Sequence, residues 1–234
     1  MKKVLISSPT ADLKDYCFDK WMANVSKFTY PNCSVLLCDN SLTREYYIDI
    51  KKRYEHLGDF FNVSRITPSQ YNNLTFKSIL AKSHDKCRLY ALENDFDYLL
   101  HLETDIFPPI NVIERLLSAN KKVVGALYHI ELGERSKLMI QQIEDFGNDL
   151  RESYNLDEMD LEFVDGNVKK VFSCGLGCVL IHKSVLSEVA FRYEEGSPVH
   201  PDSFYFADLD SKRIPVYVDT SIYCEHDNHT MVRI

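Results

Sequence analysis

Short apolar runs alternate with longer helical segments through the first half of the chain. The apolar runs have four to seven residues, which is the length of a buried strand rather than of a helix. The segments between them carry apolar residues at helical spacing or are closed by proline and asparagine. This alternation predicts an α/β fold with a mostly parallel central sheet, right-handed crossovers and flanking helices. The predicted strands are residues 4–7, 34–38, 60–66, 98–102 and 122–128, and the predicted helices are residues 12–28, 43–56, 76–93 and 108–117.

The second half of the chain lacks this alternation. Residues 131–168 are acidic and weakly periodic, which predicts an irregular or mobile insertion over one edge of the sheet. Residues 171–182 favour one strand that contains glycines at a point of close approach. A short helix over 184–191, a proline-marked loop near 202 and a last strand over 216–219 follow. With 234 residues, the chain is expected to form a single domain with a sizeable core.

Charge and composition exclude several classes of function. The formal net charge of −8 makes the chain a poor general binder of nucleic-acid backbones. The seven cysteines are scattered without a Cys-x-x-Cys pair, so neither a disulfide framework nor a structural zinc site is expected. The first ten residues are too short in apolar content for a signal peptide, and no apolar run approaches the roughly 20 residues of a membrane span. These features predict a cytoplasmic protein without a membrane span.

Two carboxylates follow the predicted strand 98–102. Glu103 and Asp105 stand one residue apart, and such a pair can face one side if the backbone turns there. Carboxylate oxygens suit magnesium or manganese, with substrate phosphates filling the other positions of the ion. Ligands of open α/β sheets bind beyond the carboxyl ends of the strands, where this pair is expected to lie. A solvated acidic turn is the alternative explanation of the same residues.

Other candidate residues are individually ambiguous. Asp39 follows the second strand, where it can contact a nucleoside or cap the next helix. Arg88 is either a phosphate ligand or a solvated helix residue. Asp202 is a general base if burial raises its pKa, or otherwise a loop cap. Gly175 and Gly177 allow either tight packing or close approach of a sugar. His226 follows the last predicted strand, and a histidine taken alone is more often a surface or core residue than a ligand.

Taken in order, these segments resemble the glycosyltransferases of the GT-A fold, especially the family-2-like enzymes. The resemblance runs along most of the chain, and its ordered spacing is more specific than any one motif. The matching segments are 4–10 (VLISSPT), 36–41 (LLCDNS), 98–105 (YLLHLETD), 173–181 (SCGLGCVLI), 202–206 (DSFYF), 213–220 (RIPVYVDT) and 224–226 (CEH).

The resemblance implies one GT-A-type domain that transfers a sugar from a nucleoside diphosphate sugar to an acceptor hydroxyl, with inversion. Residues 1–130 would bind the nucleotide, 131–168 would form the insertion, and 169–234 would complete the acceptor and metal sites. Donor contacts are expected from Pro9, Thr10, Asp39, Arg88, Thr104, Gly175 and Gly177. Mn²⁺ or Mg²⁺ is expected on Glu103, Asp105 and His226, and the catalytic base is expected to be Asp202, with Asp208 as its rival.

Two departures from the family pattern and two other functions stay open. The first carboxylate of the metal motif is Glu103 instead of aspartate, and the acidic pair before the acceptor loop is reduced to Asp202. A nucleotidyltransferase is disfavoured, because residues 7–12 after the first strand have neither glycine nor lysine. A non-catalytic nucleotide-sugar-binding module that kept the fold is the second alternative. The acceptor stays open among a saccharide, a protein side chain, a lipid and a modified nucleobase, and the sequence leaves the oligomeric state open.

Overall fold

A computed structural model describes residues 1–67, 74–132, 135–145, 151–157 and 161–227 of the chain. Strands and helices are numbered here in chain order. The strands are β1 (Val4–Thr10), β2 (Cys33–Asp39), β3 (Phe61–Arg65), β4 (Tyr98–Leu102), β5 (Ile106–Phe107), β6 (Val123–Leu127), β7 (His129–Leu132), β8 (Arg135–Asp145), β9 (Arg151–Asp157), β10 (Val168–Val171), β11 (Cys178–His182), β12 (Val216–Tyr223) and β13 (Glu225–His226). The helices are α1 (Asp15–Val25), α2 (Glu45–Arg53), α3 (Phe76–Glu93), α4 (Val112–Ser118), α5 (Lys183–Glu188) and α6 (Pro201–Ser211).

An eight-stranded sheet forms the centre of the structure, in the order β10-β12-β6-β11-β4-β1-β2-β3. Strands β3, β2, β1 and β4 are parallel, and β6 pairs in parallel with β12. Strand β11 runs antiparallel between β4 and β6, and β10 runs antiparallel at the edge. The prediction of a mostly parallel α/β sheet is therefore confirmed.

Helices cover both faces of this sheet. Apolar side chains of α1, α2 and α4 pack with one core cluster, and those of α3, α5 and α6 pack with the other. The strands between them are buried almost throughout, which explains why they are continuous apolar runs instead of alternating ones. Among the described residues, no helix combines the length and the apolar composition needed to cross a membrane.

Three predictions for the second half of the chain were wrong. Part of the insertion forms a three-stranded antiparallel sheet of β7, β8 and β9, in which Leu138 and Ile140 reach the core while the intervening Met139 is partly buried. The single strand predicted over 171–182 is divided into β10 and β11, because Gly175 takes a positive φ of 66° between them. The predicted loop near residue 202 is helix α6, which begins at Pro201.

Candidate active site

The carboxyl ends of β1, β2 and β4 meet at one edge of the main sheet. Thr10 at the end of β1 lies opposite Asp39 at the end of β2 in the strand register. Glu103, Thr104 and Asp105 follow β4 directly, on the other side of β1. The structure therefore brings the predicted nucleotide-contacting and carboxylate segments to the edge where ligands of open α/β sheets bind.

A two-residue antiparallel ladder places His226 beside Asp105. In the ladder between β5 and β13, His226 pairs with Ile106, and the backbone N–H of Asp227 donates to the Asp105 carbonyl at 2.9 Å. The Nε2 atom of His226 consequently lies 3.5 Å from Oδ2 of Asp105. Both side chains are almost inaccessible to solvent, at 9% and 0% exposure.

The second ring nitrogen of His226 determines how the first can act. Nδ1 lies 2.6 Å from the carbonyl oxygen of His129, and because a carbonyl only accepts, Nδ1 must carry the proton. The neutral ring then has its lone pair on Nε2, which faces Asp105. Among the described residues, neither His226 Nε2 nor Asp105 Oδ1 has a hydrogen-bond partner, although both are buried. Two adjacent side chains therefore each carry one buried polar atom without a partner, and such atoms call for a ligand or an ion.

Lys14 supplies a positive charge to this region. Its ammonium group binds Oδ2 of Asp105, and its side chain is mostly buried. Burial alone would raise the pKa of Asp105, but the adjacent His226 imidazole and the charge of Lys14 lower it below its usual value. Although burial disfavours the imidazolium, the adjacent Asp105 raises the pKa of His226. Burial and the Asp105 charge raise the pKa of Glu103.

The described residues contain no group of three or more histidine, cysteine, aspartate or glutamate side chains arranged to hold a metal ion. A cation at this edge would instead have two protein ligands, Asp105 and His226. Magnesium-type ions are commonly bound by one or two carboxylates while substrate phosphates and water complete the shell. Binding of the cation by Glu103 stays a prediction.

A cavity of about 340 Å³ lies next to these residues. Five predicted or neighbouring positions at the sheet edge form part of its wall: Pro9, Thr10, Asn40, Glu103 and Thr104. Thr10 Oγ1 is buried and has no hydrogen-bond partner within the described part of the chain. An unsatisfied hydroxyl on a cavity wall is suited to a polar ligand.

The other walls of the cavity are apolar and aromatic. Leu13 and Tyr16 border it from the segment after β1, and Phe76 borders it from the start of α3. All three are unusually exposed for their type, Leu13 at 67% and Phe76 at 63%. Concave sites that combine apolar surface with a few polar groups are typical of small-molecule binding.

Two predicted donor contacts lie elsewhere. Asp39 is completely buried, and its carboxylate binds Arg65 and accepts hydrogen bonds from the backbone and hydroxyl of Ser41. The guanidinium of Arg88 binds the Asp85 carboxylate and donates to the Leu186 carbonyl at 2.8 Å. The hydrogen-bonding groups of both residues are occupied in holding loops and helices together, and neither residue lines the cavity.

Gly175 and Gly177 make room for a tyrosine. A Cβ atom at Gly177 would lie 2.5 Å from Cζ of Tyr128, and one at Gly175 would overlap the Tyr128 hydroxyl. The backbone N–H of Gly177 donates to that hydroxyl at 3.1 Å. Tyr128 in turn packs edge-on against His226, with ring centroids 5.6 Å apart. The glycines therefore do mark a point of close approach, as predicted. The approaching side chain is Tyr128, which in turn holds the His226 ring in place.

The two candidate bases differ in their surroundings. Asp202 lies in the first turn of α6 and binds Nδ1 of His200 at 2.9 Å, and His200 borders the cavity. After burial and Asp105, the charge of Asp202 also contributes to the raised pKa of Glu103. Asp208 instead forms a two-point ion pair with Arg192, at 2.7 and 2.9 Å. Asp202 therefore contacts a residue of the cavity wall, whereas Asp208 is held by Arg192 and does not line the cavity.

Sequence reasoning missed four residues of the site: Lys14, His84, Tyr128 and His200. One signal was available, because His101 interrupts the apolar strand β4 and a buried polar side chain requires a partner. That partner is His84, whose Nδ1 lies 2.7 Å from Nε2 of His101. The apolar residues of α3 predicted the helix but did not indicate His84, because the side chains that this helix buries are mainly small and polar.

Comparison with solved structures identifies the fold. GalNAc-T7, in a crystal structure with UDP, GalNAc and Mn²⁺, matches with a TM-score of 0.65 and 10% identity, over 97% of this chain and 44% of that one. TarS from S. aureus matches with a TM-score of 0.57 and 11% identity, over 99% of this chain and 38% of that one. The chain therefore spans less than half the length of either structure.

No protein-family model and no curated protein matches the sequence. Both solved structures are GT-A-type glycosyltransferases, so the predicted fold is confirmed: the chain has the GT-A fold. At this level of identity the likeness concerns the fold alone.

Proposed function

We propose that this chain is a metal-dependent glycosyltransferase that uses a nucleoside diphosphate sugar. The observation that carries the proposal is the pair formed by Asp105 and His226 at the carboxyl edge of a GT-A sheet, whose Oδ1 and Nε2 atoms are buried without a hydrogen-bond partner among the described residues. Lys14, which binds Asp105, and Thr104, which precedes it, line the neighbouring cavity. The GT-A fold of two glycosyltransferases, one of them with UDP, GalNAc and Mn²⁺ in its crystal structure, supports it.

The residues present fit a divalent cation. A buried carboxylate oxygen and an imidazole nitrogen without partners are suitable ligands for Mn²⁺ or Mg²⁺ when phosphate oxygens complete the shell. The hydrogen bond from His226 Nδ1 to the His129 carbonyl fixes the ring in the ligand tautomer. When bound, the cation supplies Lewis-acid stabilisation of charge on the departing diphosphate. Lys14, which binds Asp105 Oδ2, would add a second positive charge beside a bound diphosphate.

The cavity is where the donor nucleotide would bind. Pro9, Thr10 and Asn40 line its nucleoside end, and Thr104 lies towards the metal pair. The exposed apolar rim of Leu13 and Phe76 suits the face of a nucleobase. Asp39 would act indirectly, because its bonds to Ser41 and Arg65 shape the loop that presents Asn40.

Asp202 is the base in this proposal. Its carboxylate takes the proton of the acceptor hydroxyl while that oxygen bonds to the anomeric carbon of the donor sugar. The bond from the anomeric carbon to the diphosphate breaks at the same time, the diphosphate leaves with the electron pair, and the configuration inverts. His200 binds Asp202 at the cavity wall and orients it.

A donor screen tests this function. The full chain is mixed with UDP-, GDP-, CDP- and ADP-sugars, with and without Mn²⁺, and both thermal unfolding and nucleoside diphosphate release are measured. We expect one donor class to raise the unfolding temperature and to release its diphosphate only with Mn²⁺. Asp105→Asn should lose both responses, whereas Glu225→Gln, the exposed neighbour of His226, should keep them. Binding without release would indicate a non-catalytic module, and release of pyrophosphate from nucleoside triphosphates would indicate a nucleotidyltransferase.

A further inference from the structure

Two buried histidines and a carbonyl form a line that ends at the cavity. His101 on β4 lies with Nδ1 in hydrogen-bond contact with the carbonyl oxygen of Leu176. Its Nε2 lies 2.7 Å from Nδ1 of His84 on α3. Both rings are nearly inaccessible to bulk solvent, with His101 at 0% and His84 at 2% exposure, and His84 borders the cavity.

This arrangement determines which nitrogens carry protons. The Leu176 carbonyl only accepts, so His101 Nδ1 is protonated. Within the described part of the chain, neither ring hydrogen-bonds to a carboxylate. Two buried imidazoles in direct contact are then expected to be neutral, because a buried unpaired charge is costly. His101 Nε2 is then an acceptor, so the proton between the rings belongs to His84 Nδ1. His84 Nε2 is left as a bare acceptor.

Aromatic packing holds the His84 ring in place. Phe191 stacks on it with ring centroids 5.4 Å apart, and Tyr205 of α6 stacks on Phe191 at 4.1 Å. The ring therefore cannot turn without disturbing the packing between α3 and α6. Within the described part of the chain, no hydrogen bond is made by His84 Nε2, and the side chain is buried at the wall of the cavity.

We propose that His84 is a specificity residue of the donor site, whose Nε2 accepts a hydrogen bond from an N–H or O–H group of the bound nucleotide, with His101 and the Leu176 carbonyl as positioning groups. This inference rests on the proposed function, because it assigns the nucleotide to this cavity. A buried acceptor that lacks a proton donor is energetically unfavourable, so His84 selects against a nucleotide that lacks the matching group. The group is either a ribose hydroxyl or an N–H on the base edge.

The protonation pattern is tested without any ligand. In the ¹⁵N-labelled full chain, long-range ¹H–¹⁵N spectra report which ring nitrogen carries the proton, and loss of the signal in His84→Gln assigns it. We expect His84 to carry its proton on Nδ1 and its lone pair on Nε2. A proton on Nε2, or a doubly protonated ring, would overturn the proposal even if the chain binds nucleotides.

The ligand contact is tested by calorimetry with Mn²⁺ and the tightest-binding of UDP, GDP, CDP and ADP. The same nucleotide is then used as its 2′-deoxy, 3′-deoxy and base-N-methylated forms. We expect His84→Phe to weaken binding of the parent nucleotide about 5- to 10-fold. One analogue should bind the wild-type chain more weakly than the parent nucleotide by a similar factor. The same analogue should bind His84→Phe as well as the parent nucleotide does. That analogue shows whether the ribose or the base donates the hydrogen bond.

Two variants keep the result interpretable. His84→Gln, which retains an acceptor oxygen, should recover most of the affinity, and it provides a second test if His84→Phe unfolds. His182→Gln is the control, because His182 at the end of β11 pairs with the first residue of β4, far along the strand from the cavity edge. This variant should bind every nucleotide as the wild type does. If no nucleotide binds the wild type, the proposed function fails together with this contact. If the wild type binds and His84→Phe and His84→Gln respond to all analogues as it does, only the contact is refuted.

Discussion

The Nε2 atom of His226 lies 3.5 Å from Oδ2 of Asp105, and backbone pairing puts it there. The ladder between β5 and β13 fixes the two main chains, and the His129 carbonyl at the start of β7 fixes the imidazole tautomer. Three distant parts of the chain thus converge on one ligand pair. Each part gives a separate way to test the site.

Asp105→Asn should weaken Mn²⁺ binding at least about 10-fold, because an amide oxygen is a much poorer ligand than a carboxylate. Electron paramagnetic resonance of free Mn²⁺, with the nucleoside diphosphate present, measures the affinity directly. Glu225→Gln is the matched control, since Glu225 is paired with Lys20 on the surface. Unchanged Mn²⁺ affinity in Asp105→Asn would remove the metal from the proposal.

Lys14→Met should destabilise the metal-free chain by about 1–3 kcal/mol, because the buried Asp105 carboxylate loses its cationic partner. Mn²⁺ should then stabilise this variant more than the wild type, since the ion takes over the lost charge. Thermal unfolding with and without Mn²⁺ measures both effects. Lys20→Met breaks an exposed ion pair and should change stability by no more than about 1 kcal/mol. If Mn²⁺ stabilised Lys14→Met and the wild type equally, the ion would not be replacing the charge that Lys14 supplies to Asp105.

Gly177→Ala should cost about 1–3 kcal/mol, because the new Cβ would lie 2.5 Å from Tyr128 Cζ. Displacement of Tyr128 should also loosen His226 and lower Mn²⁺ affinity. Gly166→Ala separates the two causes, since its Cβ meets nothing within 4 Å and the change only strains a positive φ of 83°, at about 1 kcal/mol. Chemical denaturation gives the stabilities. Normal Mn²⁺ affinity in a destabilised Gly177→Ala would separate Tyr128 from the metal site.

Asp202→Asn should lower kcat by at least about 100-fold and leave the affinity for the nucleoside diphosphate within about two-fold, as expected for loss of a general base. Asp208→Asn should retain kcat and lose at most about 1 kcal/mol of stability from its partly exposed pair with Arg192. Steady-state kinetics with the donor found in the screen compares the two. Full activity of Asp202→Asn would return the role of base to Asp208 or to another group.

Acid should destabilise the chain through His101. Burial lowers the pKa of His101 to about 4, whereas the unfolded chain titrates near the ordinary value of 6.5. Between these values the unfolded state binds more protons, so the contribution is complete above about pH 6.5 and is lost as the pH falls towards 4. The loss amounts to about 3 kcal/mol. The free energy of unfolding, measured with urea across this pH range, should fall less steeply with decreasing pH in His101→Asn than in the wild type. The exposed-site variant His56→Asn should keep the wild-type pH dependence.

The fold and the location of the site could be predicted because both depend on local patterns. Buried strands separated by helices define the sheet, and Asp105 and His226 follow β4 and β12 closely in the sequence. The long-range pairing that joins them has no local signal, since β5 and β13 have only two residues each. Only the resemblance to known enzymes connected the two residues.

The surroundings of other residues could not be predicted, because one residue type has several possible partners. Asp39 was expected at the nucleoside, but Arg65 from the neighbouring strand β3 binds its carboxylate. Gly177 correctly indicated a close approach, although the approaching group is Tyr128 instead of a sugar. Helix α6 was missed because consecutive aromatic residues from Phe204 to Phe206 conceal any single apolar face, even though Pro201 marks its start.

The position of β13 also bears on when the pair of Asp105 and His226 is completed during synthesis. A ribosome that has translated the chain only as far as Tyr223 has already supplied every residue named here at the cavity wall, together with Asp105 and Lys14. The imidazole is still missing at that stage. A chain that stops there lacks both the partner strand of β5 and the imidazole beside Asp105, so the geometry of this pair depends on β13 being made.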